Sequence, residues 1–274
     1  MTIINPKVID IFSVKSLKLE LFNNDNLISV ATGFFYKAPK NSALVTNWHV
    51  LSGRNPRNGQ PLNSHGATPN FISFWFHLKS PGTVLYGPKT PLYQENGTPI
   101  WFQHKEKGQD IDVAMLILTD DFKVEINDQS IEIIQYPVNE QNSEKMLNHH
   151  IGADAFVVGY PLGLSVQQIL PVWKRASIAS EPEVPINELP LFLVDTATRE
   201  GMSGSPVYAR QYGFVHYHDG EGAYLNGSAT SFLGVYSGRY GGDDEFAAQL
   251  GRVWRRSVID EIIADPVVGS YQLK

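Results

Sequence analysis

The chain contains a serine, a histidine and an aspartate in segments that could support acyl transfer, namely Ser203, His49 and Asp112. This chemistry needs a hydroxyl nucleophile, a base that takes its proton, an acid that orients the base, and donors for the oxyanion. Ser203 lies in the segment GMSGSP at residues 201–206, where glycines let the backbone turn tightly and direct two N–H groups toward one point. The backbone amides of Gly201 and Ser203 are therefore the predicted oxyanion donors.

The candidate base and acid stand at the edges of strand-like runs. His49 closes the run ALVTNWHV, next to a polar loop that starts at Ser52, and such strand ends are where a scaffold exposes functional side chains. Asp112 begins the run DVAMLIL, so we expect its carboxylate at the mouth of a buried strand, where it can be desolvated and still bond an imidazole. Asp110 competes for this role from the preceding loop, GQD, although its simplest interpretation is a solvated turn residue.

Three segments around these residues resemble the signature segments of trypsin-like serine proteases. They are WHV around His49, DVAML from Asp112 and GMSGSP around Ser203, and they follow the family's order of His, Asp and Ser. The sequences DTA at 195–197 and GYPLG at 159–163 are similar to segments of the HtrA-like bacterial branch. The resemblance implies a serine endopeptidase that cleaves protein or peptide substrates through an acyl-enzyme intermediate and requires no cofactor.

The resemblance also implies an all-β fold of two antiparallel six-stranded β-barrels with the active site in the cleft between them. Short runs rich in Val, Ile, Phe, Tyr and Trp, separated by turn signals, agree with this fold. We expect an N-terminal barrel with His49 and Asp112 at residues 1–137, a linker at 138–150, and a C-terminal barrel with Ser203 at 151–274. The run AAQLGRVWRRSVIDEIIA at 247–264 has apolar residues at helical spacing and predicts a C-terminal α-helix.

Four residues are predicted to contact the substrate. The run LGVYSG at 233–238 resembles the strand that lines the primary specificity pocket, and Ser237 would begin its wall. Ala197 falls near the position where trypsins carry an acid, so the resemblance implies a small or aliphatic preference rather than Lys or Arg. Arg239 could instead attract an acidic side chain, and Glu200 could discourage acidic residues near the scissile bond. The sequence leaves these alternatives open.

Composition narrows the partners and the compartment. The net charge of −6 and the pI of about 5.7 provide no basic field for nucleic acid or an anionic membrane. The chain has no cysteine, and His216 and His218 have only a generic Asp219 as a third ligand, so we predict no metal site. The first residues, MTIINPKVIDIF, lack signal-peptide features, and no apolar run reaches the ~18 residues of a membrane span. We therefore expect a soluble, cytoplasmic protein.

Two departures from the family pattern bear on regulation. Met202 replaces the Asp that pairs with a freshly cut N-terminus in secreted digestive members, and only about thirty residues follow the last barrel strand, too few for a PDZ domain. We hypothesise that the protein is either narrowly specific or latent until a protein activator or the substrate orders the oxyanion loop. Two other functions remain open, a catalytically idle trypsin-fold binding module and an esterase.

Overall fold

The structure is a computed structural model of the 274-residue chain. It describes residues 9–78, 84–118, 123–126, 129–140, 145–167, 169–240 and 249–270. Antiparallel strands dominate, accompanied by two short α-helices, α1 (Trp48–Ser52) and α2 (Ser257–Ala264). The described strands are β1 (Ser16–Asn23), β2 (Asn26–Lys37), β3 (Ser42–Thr46), β4 (Phe71–Leu78), β5 (Val84–Tyr86), β6 (Thr90–Pro91), β7 (Phe102–Gln103), β8 (Ala114–Leu118), β9 (Lys123–Ile126), β10 (Gln129–Ile134), β11 (Asp154–Gly159), β12 (Val172–Ile178), β13 (Leu191–Asp195), β14 (Pro206–His216), β15 (Gly222–Arg239), β16 (Leu250–Arg255) and β17 (Val267–Val268).

The N-terminal half is an antiparallel sheet whose strands run in the order β17-β7-β8-β3-β2-β1-β4-β10-β9, with β5 and β6 also paired to β4. Strand β1 shows why it forms, since the buried Leu17, Leu19 and Leu21 alternate with the more exposed Lys18 and Glu20. This period of two puts one face into the core of the half. The described residues thus give this half eleven strands, more than the six predicted.

The C-terminal half is a closed six-stranded barrel with the order β11-β12-β13-β16-β15-β14. Strands β14 and β15 pair over most of their length and extend past the barrel as a hairpin that turns at residues 217–221. Five of the six barrel strands fall in segments whose composition predicts strands, whereas β16 falls in the predicted helix and the hairpin extension was not predicted. The predicted fold class, all-β with two antiparallel halves, is confirmed.

A shared apolar core joins the two halves. Phe34 and Val45 of the N-terminal sheet pack in one cluster with Phe232 and Trp254 of the barrel. Helix α2 contributes its buried face to the same cluster, and the Tyr36 hydroxyl donates to Asp260 Oδ1 at 2.6 Å. After this helix the chain returns to the first half, where β17 pairs with β7. The shared core, helix α2 and the pairing of β17 with β7 therefore fix the two halves against each other.

Two stretches around the predicted linker contact opposite halves. The Asn139 side chain donates to the Lys37 carbonyl at 2.7 Å and accepts from the Lys37 amide at 2.8 Å. Leu147 forms a bridge with Tyr217 of the barrel. Residues 141–144 of the predicted linker lie outside the described residues.

The predicted C-terminal helix is wrong in its first half. Leu250–Arg255 forms β16, which pairs with both β13 and β15 and completes the barrel ring, and only Ser257–Ala264 is helical. The helical spacing of Val253 and Trp254 also suits a strand buried between two neighbours, and pairing on both sides overrides the local pattern. Residues 247 and 248 of the predicted helix lie outside the described part of the chain.

Within the described ranges, neither helix has the length and apolar character needed to cross a membrane.

Candidate active site

His49 lies in α1, directly after β3, and not at the end of the strand as predicted. Asn47, with extended φ and ψ of −85° and 153°, precedes this short helix, and Gly53 ends it in the left-handed region at φ 65°. A Cβ on Gly53 would also come within 2.4 Å of Pro69, so glycine suits this stop. The turn into the helix makes the amide and the ring of His49 accessible to the same carboxylate.

That carboxylate belongs to Asp112. Its Oδ2 lies 2.7 Å from His49 Nδ1, and its Oδ1 accepts from the His49 amide at 2.9 Å. The Asn47 side chain donates to the Asp112 carbonyl at 2.7 Å, so residues on both sides of the contact are held. Asp112 is 1% exposed and precedes β8 by two residues rather than beginning it. Water therefore does not compete for either carboxylate oxygen.

The alternative acid, Asp110, has a different environment. It is exposed in a turn, where its amide donates to the Lys107 carbonyl at 2.9 Å. The structure thus brings together His49 and Asp112, and it leaves Asp110 at the surface.

The Ser203 loop is fixed to the N-terminal half through Thr32. The Ser203 carbonyl accepts from the Thr32 amide at 2.9 Å, and the Thr32 carbonyl accepts from Thr46 Oγ1 at 2.8 Å. Thr46 is the last residue of β3, three positions before His49. These bonds hold the half-buried Ser203 against the end of the strand that leads into α1. Among the described residues no hydrogen bond joins the Ser203 side chain to His49, and in substrate-free enzymes such contacts are often long.

Gly204 makes this approach of the two halves sterically feasible. Its φ is 82°, and a Cβ at this position would lie 2.0 Å from the Thr32 carbonyl oxygen and 2.3 Å from Thr46 Oγ1. Because only glycine combines a left-handed backbone with so close an approach, the second glycine of the GMSGSP segment has a packing role as well as a turn role.

The two predicted oxyanion donors are free to bind a ligand. Among the hydrogen bonds of the described residues, none uses the amide of Gly201 or of Ser203. Gly201 has φ 88°, and its carbonyl accepts from Thr32 Oγ1 at 2.8 Å. The preceding Glu200 carbonyl accepts from the Leu162 amide at 2.7 Å, which fixes the peptide plane on the other side. The loop therefore carries two donors on a backbone held from both ends.

The four residues predicted to contact the substrate differ in exposure: three are exposed and Ser237 is buried. Ala197 and Glu200 are exposed, and the Ala197 carbonyl accepts from Lys174 Nζ. Ser237 is 1% exposed, and its Oγ accepts from Trp254 Nε1 at 3.0 Å. Arg239 Nη2 donates to the Thr198 carbonyl at 3.4 Å, so its guanidinium lies over the 197–200 segment.

A cavity of about 590 Å³ lies between the two halves, next to Asp112. Asp110, Asp112 and Arg252 are among its lining residues. Burial lowers the pKa of Arg252, the charge of Asp112 opposes that shift, and the charge of Arg57 adds to it. The sequence did not point to Arg252, because this residue falls in the predicted C-terminal helix, whereas the structure places it in β16.

The described residues contain no group of three His, Cys, Asp or Glu side chains arranged to hold a metal ion. His218 stacks on His149 with ring centroids 6.0 Å apart.

A sequence profile of the trypsin-like peptidase domain matches residues 31–215, more than half of the chain and the part that holds all three candidate triad residues. The fold and this match define a serine endopeptidase, as the sequence predicted. The chain belongs to the trypsin-like peptidase family.

Similar solved structures include bacterial proteases. The active form of the Rv3671c protease from M. tuberculosis is 16% identical, with a TM-score of 0.47 over 96% of this chain and 85% of that chain. The inactive form of the same protease has 16% identity and a TM-score of 0.46 over 92% and 89%. A serine endoprotease from Yersinia pestis is 13% identical, with a TM-score of 0.47 over 92% of this chain and 64% of that one. A search of curated protein sequences finds no match.

Proposed function

We propose that the protein cleaves peptide bonds in protein substrates with Ser203 as nucleophile, His49 as general base and Asp112 as the acid that orients it. The observation that carries the proposal is the 2.7 Å contact between His49 Nδ1 and a carboxylate that is 1% exposed. An Asp in this position accepts a hydrogen bond from Nδ1–H and so keeps the proton on Nδ1, which leaves the Nε2 lone pair for a serine hydroxyl. The second bond, to the His49 amide, keeps the carboxylate from rotating away.

In the proposed reaction Ser203 Oγ attacks the carbonyl carbon of the scissile bond while its proton passes to His49 Nε2. The carbonyl oxygen becomes an oxyanion that accepts hydrogen bonds from the Gly201 and Ser203 amides. The imidazolium then gives its proton to the leaving amine as the C–N bond breaks, and Asp112 stabilises the positive charge during both steps. Water repeats the sequence on the acyl-enzyme and releases the acid product. No cofactor enters these steps.

Two features of the loop support a role for Gly201 and Ser203 in oxyanion binding. Both amides lack partners among the described residues, and the carbonyls of Gly201 and Glu200 are already held by other groups. Removing one donor from such a site typically lowers kcat by ~10²–10³-fold.

Hydrolysis of internally quenched peptides by the purified protein tests the proposal, with Ser203→Ala and Ser205→Ala compared. Ser205 is a matched control because its buried Oγ has no hydrogen-bond partner among the described residues, so its loss removes no hydrogen bond. We expect Ser203→Ala to abolish turnover and Ser205→Ala to retain it. Equal turnover by wild type and Ser203→Ala would contradict the assignment of the nucleophile.

Latency until an activator or substrate orders the oxyanion loop stays part of the proposal, as does a cytoplasmic location. Constant hydrolysis of casein by the purified protein would exclude latency. Peptide turnover that appears only after a candidate partner is added would support it. In both cases, loss of turnover in His49→Ala ties the activity to the proposed site.

A further inference from the structure

The cavity beside Asp112 carries an excess of positive charge. Its lining includes the cationic Arg57, Lys107 and Arg252, against the two carboxylates Asp110 and Asp112. The three cations come from three separate parts of the chain, the loop after α1, the turn before β8, and β16. Charged side chains from both halves therefore line one cavity.

Arg252 has a hydrogen-bond donor that lacks an acceptor. Its Nη2 donates to the Ser237 carbonyl at 3.0 Å, while its Nε is buried and has no partner among the described residues. Burial and the nearby charge of Arg57 lower the pKa of Arg252, and the charge of Asp112 opposes them. The unpaired Nε of Arg252 and the repulsion between the guanidinium groups of Arg57 and Arg252 both cost free energy. An anion bound between the two guanidinium groups would accept a hydrogen bond from Arg252 and reduce the repulsion.

The nearby carboxylates offset this charge only in part. The charge of Asp112 favours the protonated form of Arg252, but both oxygens of Asp112 already accept hydrogen bonds from His49, and Asp110 is the only other carboxylate among the described lining residues. Lys107 Nζ donates to the carbonyl of Glu188 at 3.1 Å, so a neutral group satisfies this ammonium. The positive charge of the cavity is left for a ligand.

The wall also has an apolar part, formed by Ile186, Leu189, Leu191 and Trp254, beside the polar Asn187 and Tyr240. Such a surface suits the methylene groups of a side chain, while the guanidinium groups suit its terminal carboxylate. A glutamate fits this combination better than aspartate, because it has one more methylene to place against the wall.

We propose that this cavity binds an acidic side chain of the substrate, with Arg57 and Arg252 as the residues that hold its carboxylate. The inference rests on the proposed peptidase function and adds to it a preference for substrates with a Glu near the scissile bond. Because Asp112 lines the same cavity and bonds His49, the bound side chain lies next to the catalytic pair.

Cleavage of a mixture of internally quenched decapeptides by wild type is the first test. At one position we expect Glu to be favoured over the isosteric Gln by about tenfold or more in kcat/KM, and Arg57→Gln to reduce that ratio to below about threefold. Arg175→Gln is the matched control, since this exposed arginine pairs with Asp154 on the outside of the barrel. Arg239→Gln tests the other candidate cation and should keep the preference. Cleavage without preference for an acid, or a preference lost in Arg239→Gln and kept in Arg57→Gln, would overturn the proposal.

A binding measurement separates failure of the cavity proposal from failure of the peptidase function. Ser203→Ala is titrated into a fluorescein-labelled decapeptide of alternating Ala and Glu, and into its Ala and Gln counterpart, with fluorescence anisotropy as the readout. We expect tighter binding of the Glu peptide, by about tenfold, and loss of the difference when Arg57→Gln is added. This result without turnover by wild type, either alone or with candidate partners added, would support the cavity and contradict the peptidase function. Turnover with equal binding of both peptides would do the reverse.

Discussion

Replacement of Asp112 by Asn probes the contact on which the proposed mechanism depends. Both oxygens of Asp112 accept from N–H donors, the His49 amide and His49 Nδ1. An Asn has one accepting oxygen and one donating NH₂, so one of these two contacts must fail. If the NH₂ faces the ring, Nδ1 must become the acceptor, and the proton moves to Nε2, where it blocks removal of the Ser203 proton. If it faces the amide, two buried donors oppose each other at a cost of about 1–3 kcal/mol.

The ring can change its tautomer, whereas the amide cannot, so we expect the first arrangement. In the Ser-His-Asp enzymes this change lowers kcat by about 10⁴-fold, which is ~5.5 kcal/mol of transition-state stabilisation. We predict a fall of about 10³–10⁴-fold in kcat for Asp112→Asn, with the free energy of unfolding changed by less than about 1 kcal/mol.

Steady-state kinetics on a cleaved peptide and urea unfolding measure the two quantities. The matched control is Asp110→Asn, at an exposed turn residue, for which we expect less than about twofold change in kcat. A kcat of Asp112→Asn within tenfold of wild type would show that Asp112 does not set the tautomer of His49. So would an equal loss in Asp110→Asn.

Two further predictions concern packing and pH. Gly204→Ala should lower the free energy of unfolding, measured in urea, by about 3 kcal/mol or more, because the new Cβ would overlap with backbone at a φ of 82°. The control Gly213→Ala has a similar φ of 69° but no atom within 4 Å, so it should lose only about 1 kcal/mol. Similar losses in the two variants would contradict the steric explanation. Burial lowers the pKa of His77 to about 4, so between pH 6.5 and 4 the unfolded chain takes up a proton that the folded chain does not, and stability should fall on acidification. His77→Gln should flatten this pH dependence of the unfolding free energy while His65→Gln, at an exposed site, leaves it unchanged; the same slope in both variants would count against the assignment.

The sequence predicts the site's residue types better than their local geometry. His49 and Ser203 can be recognised in the sequence because folding seldom requires a histidine at the end of a strand-like run or a serine between glycines. The helix around His49 is not predictable in the same way, because WHVLS continues an apolar strand pattern and only the left-handed Gly53 marks the stop. The segment DVAML already favoured Asp112 over Asp110, and only the structure shows the contact between the Asp112 carboxylate and the imidazole.

The contacts that hold the site are long-range, which is why sequence patterns do not reveal them. Thr32 links Ser203 to Thr46, residues far apart in the chain, and a threonine inside a strand gives no local signal of that role. Arg252 occupies the wall of the cavity only because β16 pairs with β13 and β15 and completes the barrel. A helical interpretation of that segment removes the residue from the site altogether.

Reaction with a fluorophosphonate probe, followed by mass spectrometry of the modified peptide, tests whether Ser203 is the nucleophile. We expect one phosphonyl adduct per chain, located on Ser203, with labelling lost in Ser203→Ala and strongly reduced in His49→Ala. An adduct on Ser205, or labelling of Ser203→Ala at the wild-type rate, would contradict the claim that Ser203 is the nucleophile of this peptidase.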